Sequence, residues 1–120
     1  MLDHYGPTDL RMKATDHNVN GASTVARLLG GWPDEKPDLA RDASPITFVA
    51  KGDPPFMIMH GEQDPVVPVS QSRSLFDALI SAGDKATLKT FPTAAHGGRE
   101  FSSPETLQAE LDFFNKALKP

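Results

Sequence analysis

The feature that most constrains this chain is an unbroken apolar run, Phe56 to Met59, bounded by two prolines and by the pair His60-Gly61. Four consecutive apolar residues offer no polar face to water, so a strand formed here is buried on both sides. Strands of that kind lie in parallel sheets that are covered by helices on both faces. The run therefore predicts a buried strand of an α/β fold.

A helix pattern and a second strand pattern follow this run. Ser70 stands where a helix N-cap is expected, and Gly83 stands at the C′ position after the last turn. The apolar stripe between them has helical spacing and is expected to face the sheet: Leu75, Phe76, Leu79 and Ile80. Residues 86–91 are rich in Thr, end at a proline and predict the second strand.

The last helix is predicted to begin at Ser103-Pro104-Glu105, which supplies a cap, a first-turn proline and a first-turn carboxylate. Its core-facing stripe is expected to be Leu107, Leu111, Phe114 and Leu118, with Phe113 alongside. The N-terminal part predicts a strand end at 2–5 and short helices at 23–29 and 37–43. Helices placed between strands predict a parallel sheet, hence an α/β fold with two or three parallel strands.

Size and charge restrict the domain organisation and the partners. The 120 residues are enough for one domain, 1–120. A net charge of −4 gives no electrostatic reason to expect a nucleic acid or an anionic membrane as partner. The absence of Cys excludes a thiolate nucleophile, and no apolar stretch approaches the ~20 residues of a membrane span. Because the N-terminus lacks a signal-peptide pattern, a cytoplasmic location is slightly favoured.

Two loops of the predicted sheet carry residues that can do chemistry together. Asp64 lies in the loop after the first strand, and His96 lies in the loop after the second. Because parallel strands end at the same edge of a sheet, the two side chains are expected to meet. A buried carboxylate that accepts the Nδ1–H of an imidazole fixes its tautomer and stabilises the imidazolium formed during proton transfer.

Each candidate also has a structural alternative. Asp64 taken alone could be a turn or capping residue, and Glu62 is a competing acid. His60 is expected to be a structural histidine at a tight turn. Two histidines without a spacing partner are expected to face solvent: His4 and His17. A zinc site of His60, Asp64 and His96 is chemically conceivable, but no ligand spacing such as H-x-x-x-H supports it.

Two segments resemble the C-terminal portion of the prolyl-oligopeptidase-like and feruloyl-esterase-like α/β-hydrolases: HGEQDPVVPVSQSRSLFDALISAG and LKTFPTAAHGG. YGPTDL and LARDASPITFV resemble the family's preceding segments, so the resemblance covers nearly the whole chain, most securely residues 54–98. It implies that Asp64 is the triad acid and His96 the general base. The implied reaction is hydrolysis of a small-molecule ester or a peptide through an acyl-enzyme, without a cofactor or metal.

The chain departs from the pattern of these hydrolases in two places. Ala95 precedes the histidine where glycine is usual, and no G-x-S-x-G nucleophile elbow occurs in the chain. None of the candidate replacement serines is expected on a strand-to-helix elbow: Ser23, Ser70, Ser72, Ser102 and Ser103. We therefore expect the isolated chain to be inactive. The alternatives are a non-catalytic remnant that acts as a binding module and a half-enzyme completed by a second polypeptide.

The elbow of that family lies upstream of the segment that resembles YGPTDL. A complete fold would accordingly place further strands beside residues 2–5 and further helices over the sheet. We expect the strand at 2–5 to have an unpaired edge and the Phe56–Met59 run to be partly exposed. Unpaired strand edges and exposed apolar surface favour association, so a dimer or larger assembly, or the missing N-terminal half, is the expected partner. Trp32 is expected to have a packing role, with a lid over a substrate pocket as the alternative.

Overall fold

The computed structural model describes residues 1–10, 28–29 and 35–118. Three strands lie in these ranges: β1 (Leu2–His4), β2 (Phe56–Gly61) and β3 (Ala86–Phe91). Three helices accompany them: α1 (Pro37–Ala43), α2 (Val69–Ser81) and α3 (Pro104–Leu118). Short 3₁₀ helices span Pro45–Phe48 and Arg99–Ser102. Four earlier expectations lie wholly or partly outside the described residues: those for Trp32, His17 and Ser23, and the helix at 23–29, of which only Leu28 and Leu29 are described.

The three strands form one parallel sheet in the order β1-β2-β3. Asp3 pairs with Ile58 across the first ladder, and Ile58 pairs with Leu88 across the second. Residues 57–61 of the central strand are all buried. The predicted parallel α/β arrangement is confirmed, whereas the expectation that the apolar run is partly exposed is wrong for all but the half-buried Phe56.

The two faces of β2 bury different clusters because successive strand residues point to opposite sides. Met57 and Met59 pack on one face against Ala94 and Phe101, with Phe113 of α3 behind them. Ile58 packs on the other face against two residues of α2, Leu75 and Leu79. The sheet is therefore covered by α3 on one side and by α2 on the other. Within the described ranges, no helix combines the length and apolarity needed to cross a bilayer.

Helix α2 ends where the pattern predicts but begins earlier. Pro68 occupies the N-cap position without a side-chain cap, and its carbonyl accepts the N–H of Gln71 at 3.0 Å. Ser70 thus lies inside the first turn, and its predicted capping role is wrong. At the other end Gly83 has φ +86° and donates to Ile80 O at 3.0 Å, which closes the helix in the predicted way. Ile80, expected in the buried stripe, is 49% exposed.

Helix α3 presents a different face to the sheet from the one expected. Ser103 caps it as predicted, because its Oγ accepts the N–H of Thr106 at 3.2 Å. The sheet-facing residues are Thr106, which is fully buried, and the half-buried Ala109 and Phe113. The predicted core stripe is exposed: Leu107 and Leu111 (each 53%), Phe114 (37%) and Leu118 (79%).

The rotation of α3 is set by contacts at its first turn. Thr106 Oγ1 donates to the carbonyl of Glu100 in the preceding 3₁₀ turn. Neighbouring residues of a helix point about 100° apart, so anchoring Thr106 inward turns Leu107 towards solvent. The apolar spacing alone did not distinguish between the two faces.

Candidate active site

The Asp64 carboxylate lies in the turn after β2, and its side chain is fully buried. Oδ1 accepts the backbone N–H of Val66 at 2.8 Å and of Val67 at 2.9 Å. An Asp that binds the N–H groups two and three residues ahead stabilises its own turn. This turn leaves Oδ2 directed at the loop after β3.

His96 meets this second oxygen. Its Nδ1 lies 2.7 Å from Asp64 Oδ2, and the imidazole is 34% exposed. An ionised carboxylate can only accept, so Nδ1 is the donor and carries the proton. In the neutral ring Nε2 then has a free lone pair, which is the state required of a general base. The predicted convergence of the two residues at the carboxyl edge of the sheet is confirmed.

Gly61 allows the two loops to approach so closely. A Cβ at this position would overlap the carbonyl oxygens of Ala94 and Ala95. The loops are further joined by the N–H of Gln63, which donates to Ala94 O at 3.0 Å. The glycine of the HG pair is therefore needed for close backbone contact, and this contact brings His96 over Asp64.

Tyr5 packs against the ring of His96. This residue was not among the candidates predicted from the sequence. It follows β1 directly, has φ +44° and donates its N–H to Met59 O at 2.8 Å. Its ring lies 4.5 Å from the His96 ring at an interplanar angle of 57°, and packs edge-on against Phe101 at 4.7 Å. A non-glycine residue with positive φ is uncommon and strained, which is frequent near functional sites. Its position at the end of a strand was the signal available in the sequence.

The segment after Tyr5 is held by Gln71 of α2. The Gln71 Oε1 accepts the backbone N–H groups of Thr8 and Asp9, each at 2.7 Å. The Thr8 hydroxyl donates to the Gln71 carbonyl at 2.6 Å. This buried network fixes the path of the chain from β1 and with it the position of Tyr5.

Two other candidates are engaged elsewhere. The Glu62 carboxylate, the competing acid, pairs with Arg73 at 3.0 Å. His4, expected to face solvent, has its Nε2 2.7 Å from Glu110 Oε1 of α3 and is only 29% exposed. That expectation is wrong, because α3 packs over β1 and brings a carboxylate to the imidazole.

His60 is the penultimate residue of β2, not a tight-turn residue, and its side chain is fully buried. Its Nε2 lies 3.3 Å from Asp64 Oδ2. Among the residues that the structure describes, no group of three or more His, Asp or Glu side chains has a metal-binding arrangement. In the same part of the chain, no hydrogen bond joins His96 to a serine.

Asp3 of β1 is a further titratable group, near His60 and His4. Burial raises the pKa of its carboxyl above the ordinary value, and this outweighs the lowering effects of the Gly6 N–H and of the nearby His60 and His4. The Gly6 N–H donates to Asp3 Oδ1 at 3.1 Å. Burial therefore makes the charged form of this carboxyl less favourable in the folded chain than in the unfolded one.

Comparisons with known proteins point to hydrolases. The model of the BD-FAE family matches residues 1–79. The esterase LipC of Mycobacterium tuberculosis is 42% identical over 96 residues, which are 78% of this chain and 24% of LipC. The uncharacterized peptidase YuxL of Bacillus subtilis is 32% identical over 103 residues, 82% of this chain and 16% of YuxL. The chain thus spans a quarter or less of the length of these two relatives.

A solved structure also matches. It is described as a truncated form of a carbohydrate esterase from gut microbiota, with a TM-score of 0.84 and 37% identity. The match covers 97% of this chain and 41% of that one. The described residues therefore have the fold of part of an esterase of the α/β-hydrolase class.

Proposed function

The chain belongs to the BD-FAE family of α/β-hydrolases, and on that premise we propose that it supplies the acid and the general base of a serine carboxylesterase. The observation that carries the proposal is the 2.7 Å contact between His96 Nδ1 and Asp64 Oδ2. Relatives and a structural neighbour named as esterases support ester hydrolysis at the level of the family. An ester is the proposed substrate class, with a peptide as the alternative because YuxL is named a peptidase.

The proposed mechanism assigns one role to each residue. Asp64 accepts the Nδ1–H of His96, holds the ring in the tautomer with a free Nε2 and stabilises the imidazolium that forms. Nε2 of His96 takes the proton from the attacking serine hydroxyl and then returns it to the departing alkoxide. In deacylation the same nitrogen takes a proton from water, and the serine oxygen recovers it.

The serine itself is proposed to come from residues outside these 120, because the chain contains no G-x-S-x-G elbow. Either a longer polypeptide or a second one can supply it. The 120-residue chain alone is expected to be unlabelled by a fluorophosphonate and not to hydrolyse p-nitrophenyl acetate above background. Stoichiometric labelling of any serine would contradict this part of the proposal.

A chimera tests the catalytic roles. The segment of the gut carbohydrate esterase that this chain matches, 41% of it, is replaced by residues 1–120, and hydrolysis of p-nitrophenyl acetate is measured. We expect turnover, with kcat reduced about 10⁴-fold by Asp64→Asn and at least as much by His96→Ala. Glu62→Gln is the matched control, because this neighbouring acid pairs with Arg73 and its loss should leave kcat unchanged.

The alternative of a non-catalytic binding module is separated by the same experiment. A folded chimera without turnover, or one in which Asp64→Asn and His96→Ala keep the parent kcat, contradicts the proposed roles. Folding of each chimera is checked by its circular dichroism and unfolding midpoint. A folded but inactive chimera would favour the binding module.

A further inference from the structure

A fully buried histidine lies directly beside the acid of the candidate site. His60 has no exposed side-chain surface and contacts polar atoms at both ring nitrogens. Nδ1 lies 2.6 Å from Ser72 Oγ, and Nε2 lies 2.7 Å from the carbonyl oxygen of Val67. The same Nε2 is 3.3 Å from Asp64 Oδ2. The mechanism described above does not use this ring.

The surroundings of His60 decide which nitrogen carries its proton. A carbonyl oxygen and a carboxylate oxygen only accept, so the nitrogen that faces Val67 O and Asp64 Oδ2 must be the donor. In the neutral ring Nδ1 is then an acceptor, and the Ser72 hydroxyl is placed to donate to it. Ser72 is fully buried in α2, so this hydroxyl is held in position by the helix.

His60 also contacts the turn that contains Asp64, both at its backbone and at its carboxylate. The Val67 carbonyl accepts from the His60 ring, while the Val67 N–H donates to Asp64 Oδ1 at 2.9 Å. The His60 ring thus restrains the backbone of Val67, whose N–H binds Oδ1 of Asp64. The same ring lies next to Oδ2 of that carboxylate. A buried carboxylate requires such donors, because an unpaired one loses its solvation without compensation.

We infer that His60 is a positioning residue of the active site: it holds the Asp64 carboxylate in the orientation that keeps the proton of His96 on Nδ1. The Ser72 hydroxyl, by donating to Nδ1, stabilises the His60 tautomer that Val67 O and Asp64 Oδ2 require. The inference rests on the proposed role of Asp64 as the triad acid. The role proposed for His60 resembles that of residues around other catalytic sites that hydrogen-bond a reacting group and so fix its orientation.

The tautomer of His96 can be measured without catalysis. The ¹⁵N-labelled 120-residue chain is studied by long-range ¹H–¹⁵N correlation at about pH 9, above the ordinary titration range of imidazole. We expect the proton of His96 on Nδ1 and that of His60 on Nε2. In His60→Phe the Nδ1–H to Nε2–H ratio of His96 should fall about tenfold, equivalent to about 1.4 kcal/mol.

Three further variants separate positioning from packing. His60→Gln keeps an N–H donor of similar reach and should retain most of the ratio. Ser72→Ala removes one oxygen and should lower the ratio by less than His60→Phe does. His4→Gln, the control, removes an imidazole that also pairs with a carboxylate and should leave His96 unchanged.

The inference is overturned if His60→Phe lowers the unfolding midpoint but leaves the His96 tautomer ratio of the folded chain unchanged. Should His60→Phe not fold, Ser72→Ala decides, and an unchanged ratio there overturns the inference equally. If the unmodified chain already lacks the Nδ1–H tautomer at His96, the pairing with Asp64 is absent. In that case the proposed function fails as well, and the two failures are distinguished by the unmodified chain alone.

Discussion

Substitution of Gly61 by Ala tests the physical reason why the loops that carry Asp64 and His96 meet. The added Cβ would overlap the backbone carbonyl oxygens of Ala94 and Ala95, which belong to the chain path itself and cannot rotate away as a side chain could. Overpacking of this kind costs about 1–3 kcal/mol. Moving the loop away also breaks two hydrogen bonds of 3.0 Å, from the N–H of Glu62 to Phe91 O at the end of β3 and from the N–H of Gln63 to Ala94 O.

Each of those bonds contributes about 0.5–1.5 kcal/mol, so the whole substitution should lower the free energy of unfolding by about 2–6 kcal/mol. Urea unfolding followed by circular dichroism measures it. Gly52→Ala is the control: Gly52 has φ +99° with open space around its missing Cβ, so its cost is conformational only, about 1–2 kcal/mol. If Gly61→Ala costs no more than Gly52→Ala, or keeps the proton of His96 on Nδ1, close backbone contact does not position the site.

Three further predictions concern the pH dependence, a helix cap and association. Burial raises the pKa of the Asp3 carboxyl, so the stability contributed by its protonated form is lost as the pH rises from the ordinary 3.8 through the higher folded value. Asp3→Asn, which cannot ionise, should gain stability relative to the unmodified chain between about pH 3 and about pH 7; equal urea-midpoint differences at both pH values would contradict this. Ser103→Ala should lower the free energy of unfolding by about 1 kcal/mol because Ser103 caps α3. Ser70 lies inside the first turn of α2, so Ser70→Ala should change that free energy by less than about 0.5 kcal/mol. Equal losses for the two variants in urea unfolding would refute the assigned cap. Finally, we propose that the chain self-associates through the outer edge of β1 and the exposed stripe of α3. Light scattering should detect species above 13.0 kDa, and the double substitution Leu111→Lys with Phe114→Lys should reduce their amount. A monodisperse 13.0 kDa species from the unmodified chain would show the proposal to be wrong.

The sequence predicted those elements whose signals are local and strong. Helix α1 and strand β3 have the predicted bounds, and Gly83 ends α2 through its positive φ. The buried run at the start of β2 predicts a parallel sheet, and because parallel strands end at the same edge, it also predicts that Asp64 and His96 meet there. The bounds of these elements are predictable because chain stereochemistry and apolar periodicity act within a few neighbouring positions. The meeting of the two loops follows from the topology of a parallel sheet.

Other features depend on residues far apart in the chain, and local patterns could not reveal them. Only the packed structure shows that α3 turns Thr106 towards the sheet and leaves Leu111 exposed, because both faces of the helix carry apolar residues at helical spacing. The same holds for His4, whose partner Glu110 comes from the last helix.

For the candidate site, the sequence by itself predicted Asp64 and His96 as candidate acid and base, with Glu62 as a competing acid, and placed them after neighbouring strands of one sheet. Tertiary structure decided how they are held: Gly61 admits the loop that carries His96, Tyr5 packs against the imidazole, and His60 lies beside the Asp64 carboxylate. Residue type and order along the chain specify the chemical groups. Their distances and orientations depend on contacts between segments that meet only in the folded chain, since hydrogen bonding and packing are set by geometry in space and not by spacing along the chain.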